Sequence, residues 1–168
     1  DPNPRLGIPS ARRTLLTGAT AFGTGLFLGF SSGNRMSAYR FRAENAHRQP
    51  KSSLEWWHYS KTRRYYGIVA GTKEGFRMGS KLAVGASIFS LLEWTVDQAR
   101  HDQQDFVSTV VAGLSLSGIH SLWARHDMFT AARTAKISLK ASLTYGLLQD
   151  ALAYYRGFPP HYVHFIMG

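Results

Sequence analysis

The stretch GIVAGTKEGFRMGSKLAVGAS, residues 67–87, decides the fold. It sets Gly67, Gly71, Gly75, Gly79, Ala83 and Ser87 each four residues after the last. On an α-helix such positions lie nearly one above another, so the small side chains form one smooth stripe about 30 Å long. In water this helix would be poor, because each glycine costs roughly 1 kcal/mol relative to alanine. The pattern makes sense where lipid has removed the hydrophobic drive between helices and backbones gain by close approach. Three other segments carry the same device: Ala21, Gly25, Gly29 and Gly33; Gly113, Ser117 and Ser121; and Thr134, Ser138, Ser142 and Gly146. Together with Gly118, these positions are expected to pack helix on helix.

Working outward, four stretches lack dense charge. Thr14 to Ser32 is uncharged and close to the ~20 residues that a bilayer requires. Leu82 to Val96 is apolar apart from Glu93, and the glycine-spaced lead-in from Gly67 lengthens it. Phe106 to Ala124 holds only His120, whereas Phe129 to Leu148 contains Arg133, Lys136 and Lys140. The expected fold is an all-α integral membrane protein with four transmembrane helices. Its layout is a tail over 1–13, a first transmembrane helix over 14–32 and a basic aromatic loop over 33–66. A three-helix region over 67–152 and an aromatic tail over 153–168 follow.

Composition bounds the function. A chain of 168 residues is one domain, and with no cysteine it has neither a disulfide framework nor a thiolate site. The net charge of +10 and pI near 10.2 call for an anionic partner. The mean hydropathy of −0.20 is low for a multispanning protein, but the charge is concentrated between the apolar stretches. Arg35 to Arg64 holds eight basic residues against Glu44 and Glu55, and Pro50 is expected to break any helix there. Asp97 to Asp105 is net acidic, and Arg125 to Arg133 is basic again. Such alternation is what the positive-inside rule produces: the first and third loops face the matrix or cytosol and both termini face the other side. The start of the chain shows no convincing secretory signal. Its arginines and paucity of acids suit a mitochondrial protein.

Few residues suggest chemistry. Lys140 is expected roughly 16 Å into its helix, a costly depth for an ion, and Glu93 is the obvious counter-charge. Either the two line a shared polar concavity, or Lys140 meets an acid of a partner subunit, or the fourth helix is shallow and Lys140 points into the headgroups. Glu93 and Asp97 share a helix face and read as caps of the acidic loop rather than as an acid–base pair. Trp56, Trp57, Tyr59, Tyr65 and Tyr66 interleave with Lys61, Arg63 and Arg64. Beside a membrane helix, that composition favours an anionic phospholipid surface over nucleic acid. His161 and His164 are too few for a metal, Ser115 and Ser117 lack a nucleophile elbow, and no phosphate loop appears. No cofactor, metal or small-molecule substrate is expected.

Gly71, Gly75 and Gly79, the apolar run to Glu93, then Arg100, Asp105 and Ala112–Gly113 through Gly118 resemble the mitochondrial inner-membrane translocase (Tim) superfamily. Within it the chain is most similar to the Tim-domain-containing complex I assembly factors, which share a long basic loop after the first helix. The resemblance implies four tilted helices in the inner membrane, termini toward the intermembrane space, and no catalysis. It implies a scaffold, either an assembly factor or an accessory subunit, that works with membrane subunits of a larger complex. Complex I comes first. The alternatives are a subunit of an inner-membrane protein translocase and a soluble basic nucleic-acid-binding helical protein.

Overall fold

The computed structural model describes residues 8–100 and 105–157. They form four helices: α1 Ser10–Glu44, α2 Ser53–Ala99, α3 Phe106–Trp123 and α4 Met128–Tyr155. No strand occurs among the described residues. Each expected helix is present, and α3 ends within one residue of its expected end. The connection expected over 33–66 is largely helical: α1 runs on to Glu44 and α2 already starts at Ser53. Pro50 breaks the chain as expected, but the break takes only residues 45–52. Arginine, glutamate and alanine around it are sound helix formers, and nothing else there punctuates a helix. Expectations placed on residues 1–7, on 101–104 of the acidic loop and on the aromatic tail from residue 158, His161 and His164 included, lie outside the described residues.

The second helix starts by a capping arrangement. The backbone N–H groups of Lys51 and Ser52 donate to Glu55 Oε2 at 2.8 and 3.4 Å, satisfying donors that a helix start leaves open. These bonds hold the Glu55 carboxyl below its ordinary range, with Arg48 adding a smaller pull. At the far end of α3, Arg125 takes φ +49. The His126 N–H reaches back to the Ser121 carbonyl at 3.0 Å and the Arg125 N–H to that of Leu122 at 3.2 Å. This is a Schellman closure with arginine where glycine is usual.

The chain divides into two compact units. In the first, residues 17–86, α1 and α2 run antiparallel along the glycine stripe. A β-carbon added at Gly25 would lie 2.7 Å from the Gly79 Cα, one at Gly29 2.8 Å from the Gly75 Cα, and one at Gly33 3.0 Å from the Gly71 Cα. Gly67 faces the Asn34 side chain. Phe22 meets Phe76 edge-on, with ring centres 5.9 Å apart. In the second unit, residues up to Leu16 and from Ser87 onward, α3 packs on α4 by the same means. A β-carbon at Gly113 would stand 2.7 Å from the Ser142 Cβ, and one at Gly146 3.0 Å from the Phe106 Cα. Ser138 Oγ donates to the Gly113 carbonyl at 2.7 Å. Ala21 is half-buried and Ser117 buried, its hydroxyl turned back to the Leu114 carbonyl. Gly118 is a correction. Among the described residues a β-carbon there would meet nothing within 4 Å, so it packs against none of the four helices of this chain.

Burial is inverted relative to a protein that folds in water. Among the described residues the buried large apolar side chain is Phe41, and the remaining buried positions are small or polar. Phe27 is 72% exposed and Trp123 87%, and Leu15, Leu28, Ile68, Val84 and Ile119 also face outward. Exposed apolar surface on this scale marks contact with lipid or with another protein.

Two outcomes follow from these contacts. Gly29→Ala, whose new carbon would sit 2.6 Å from the Glu74 carbonyl oxygen, should cost about 1–3 kcal/mol in a detergent unfolding titration. Gly118→Ala should be neutral or gain up to about 1 kcal/mol in the same assay. For Glu55, a carbon-detected NMR titration should give a midpoint below that of an ordinary glutamate. Because the folded value is depressed, its contribution to the α2 start is present above the ordinary range. It is lost as pH falls through the depressed midpoint. An undisplaced midpoint would show that the cap is not formed.

Candidate functional site

A buried polar centre occupies the unit that contains α3 and α4. Glu93 is 1% exposed and sits on α2 one turn before Asp97, which is also buried. Arg13, near the start of α1, forms a charge pair with Glu93 Oε2. Thr109, fully buried on α3, donates its hydroxyl proton to Glu93 Oε1 at 2.5 Å. Thr109 also lies 3.5 Å from the Gln149 Oε1 of α4. One turn of α2 earlier, Thr14 and Ser90 share a hydrogen bond of 3.1 Å between their hydroxyls. The carboxylate is therefore gripped from both sides, by a guanidinium on one oxygen and a hydroxyl on the other. Four helices contribute to this single point.

The same end of the unit carries further ionic contacts. The Phe106 backbone N–H, which opens α3, donates to Asp150 Oδ2 on α4 at 3.0 Å. Asp105 holds the N-cap position of α3 in an extended conformation but makes no side-chain cap bond. Its Oδ2 lies 3.7 Å from Arg100 Nη2, and Arg100 Nη1 donates to Ser108 Oγ at 3.2 Å. Hence Asp150, not the local acid, supplies the acceptor for the first amide of α3, where a negative charge also favours the helix dipole.

The expected pairing of Glu93 with Lys140 is corrected. Lys140 is exposed on α4, and Glu93 is bonded by Arg13 and Thr109. Depth along a helix axis does not fix the side from which an ion projects, and Lys140 projects outward. Arg13, Thr109, Gln149 and Asp150 escaped the sequence reading. Arg13 lies 80 residues from Glu93 and Asp150 lies 44 from Phe106, so no local spacing links them. The signal available was weaker: Asp150 and Gln149 are polar residues ending a segment read as membrane-embedded, where they demand partners.

The aromatic and basic group stands on the first turns of α2. Trp56 and Trp57 are 54% and 57% exposed. Lys61 Nζ lies 4.7 Å from the centre of the Trp57 ring, a cation–π contact. Arg64 is exposed and Arg63 half-buried. Phe41 of α1 gathers Tyr59 and Tyr66, with ring centres 5.1 and 5.8 Å away. Among the described residues no group of three potential ligands could hold a metal ion.

The buried charges yield a direct test. Arg13→Leu and Glu93→Leu should each cost about 3–5 kcal/mol, because each strands a charge away from water. The double variant should recover part of that loss, giving a coupling of at least about 1 kcal/mol in a double-mutant cycle read by unfolding in detergent. Additive losses would show that the two side chains do not act on each other.

No curated protein and no solved structure matches the chain significantly. The family model described as Tim17/Tim22/Tim23/Pmp24 matches residues 14–147, a stretch that takes in both glycine seams, Glu93, Thr109 and Lys140. With most of its length covered, from the uncharged run of α1 to the small residues of α4, the chain belongs to the Tim17/Tim22/Tim23/Pmp24 family.

Proposed function

We propose that this protein is a non-catalytic scaffold of the mitochondrial inner membrane, crossing it four times and helping to assemble or complete a respiratory complex, with complex I first. The observation that carries the reading is the inverted burial: small and polar side chains inside, large apolar ones outside. Family membership supports an inner-membrane role related to protein translocation. Both α1 and α3 are long and apolar enough to cross a membrane. In this reading α2 and α4 cross with them, each held to its apolar partner by a small-residue seam, and both termini face the intermembrane space. Trp56, Trp57, Lys61, Arg63 and Arg64 then rest on the matrix leaflet against anionic phospholipid, their rings at headgroup depth.

Scaffolding fits the geometry because the polar centre is consumed internally. Glu93, Arg13 and Thr109 bond one another within the fold, so the outward surface is mainly apolar and suited to membrane subunits of a larger assembly. The second reading is a subunit of a protein translocase, and the family itself favours it.

Partner identity separates the two. Tagged protein, solubilised from mitochondria in mild detergent and analysed by mass spectrometry, should bring down respiratory-complex subunits. Import components in their place would establish the translocase reading. Protease added to sealed mitoplasts should leave residues 35–64 intact and cut within residues 97–105. Equal cutting from one face would sink the four-span topology.

A further inference from the structure

The unit of residues 17–86 carries a polar feature that the buried centre does not explain. An open groove of about 710 Å³ runs between α1 and α2, lined on one side by Met36, Arg40 and Phe41 and on the other by Tyr66, Lys73 and Arg77. Lys73 and Arg77 are exposed, and among the described residues neither forms an ion pair. Two acids also line the groove. Glu44 accepts from Arg40 Nε at 2.8 Å, and Glu74 lies on the seam, its backbone against Gly29. The cations still exceed the acids, and Lys81 continues the same helix face one turn beyond Arg77.

The glycine seam fixes the depth of this groove. Gly33 meets Gly71 and Gly29 meets Gly75, so Lys73 and Arg77 lie level with a part of α1 that has no charged residue between Arg13 and Arg35. The groove therefore straddles the level at which the apolar run of α1 gives way to charge. At that level a bilayer presents its phosphates. Lys73 lies about one helical turn and Arg77 about two turns inside that boundary, and both side chains lean toward it along α2, the direction in which long cations snorkel.

We propose that this groove binds the headgroup of an anionic phospholipid, with Lys73 and Arg77 on the phosphate and Met36, Phe41 and Tyr66 along the glycerol and upper acyl chain. The proposal rests on the reading that α1 spans a membrane. Its volume falls within the 300–1,000 Å³ usual for small-ligand sites, whereas a partner helix needs a longer trough. The paired chemistry of cations beside apolar and aromatic side chains suits a lipid, and a free phosphate would leave the apolar part unused. The site is distinct from the aromatic cluster at Trp56 and Trp57, which offers rings to a leaflet but no groove.

The test uses the full chain, purified in mild detergent, incubated with equal phosphatidylglycerol and phosphatidylcholine, and read by native mass spectrometry. The wild type should retain phosphatidylglycerol selectively. The K73Q/R77Q variant should lose roughly 10-fold or more of that retention, since each basic residue near a lipid surface is worth about 5-fold. R133Q/K136Q, which removes two exposed cations of α4 outside the groove, should keep it. A K73Q/R77Q variant with an unchanged unfolding midpoint and unchanged retention would overturn the proposal, as would equal retention of phosphatidylcholine or displacement by excess inorganic phosphate. Loss of a co-purifying protein with lipid retention intact would assign the groove to a protein partner instead, which also overturns it. Carbonate extraction of the wild type from membranes would defeat the membrane reading itself. A chain that resists carbonate yet shows no lipid selectivity defeats only the groove.

Discussion

Close approach of two backbones is the constraint on which the rest depends. Along α1 and α2 the α-carbons of Gly25 and Gly79, of Gly29 and Gly75, and of Gly33 and Gly71 face each other so tightly that a single added carbon would collide. The rings of Phe22 and Phe30 flank the seam against Gly79 and Gly71, while Phe27, Leu28, Ile68 and Val84 point away from it. The outward apolar surface is thus a product of the seam as much as of composition. The seam also sets register. A slip of one residue would replace every glycine by a bulkier neighbour, and no intermediate offset places small residues on both helices at once.

A seam built from glycine supplies dispersion but little burial of apolar area, so polar contacts gain weight. Glu93 is placed where no water competes, and its two oxygens are divided between Arg13 and Thr109. A buried ion pair gives little net stability against an apolar replacement, because desolvation cancels most of its attraction. What it supplies is a penalty for every arrangement that leaves Glu93 unmatched. The start of α1, the end of α2, the start of α3 and the end of α4 are all tied to that penalty. The seams align helices, and the carboxylate selects which ends meet.

The repeat of small residues every fourth position was readable because it is local and one-dimensional. It marked α1, α2, α3 and α4 and nearly every contact glycine. Gly118 misled because it sits five residues after Gly113, well off the stripe that Gly113 and Ser117 share. Residues 33–66 are legible as a charged, aromatic connection broken at Pro50; that α1 and α2 run through most of it as regular helix is not, because no hydrophobic period continues there. A pairing of Lys140 with Glu93 rests on depth, which periodicity supplies, and not on azimuth, which only the three-dimensional packing supplies. Arg13 lay in what read as a tail, and nothing along the chain connects it to a carboxylate 80 residues away.

Asp150 has a consequence for how the protein is made. The opening amide of α3 finds its acceptor on the last third of α4, a residue synthesised 44 positions later. The start of α3 is thus held by a residue that the chain reaches only near the end of α4. The third segment therefore gains its finished start only when the fourth has folded back beside it. The two form a hairpin that matures as a pair.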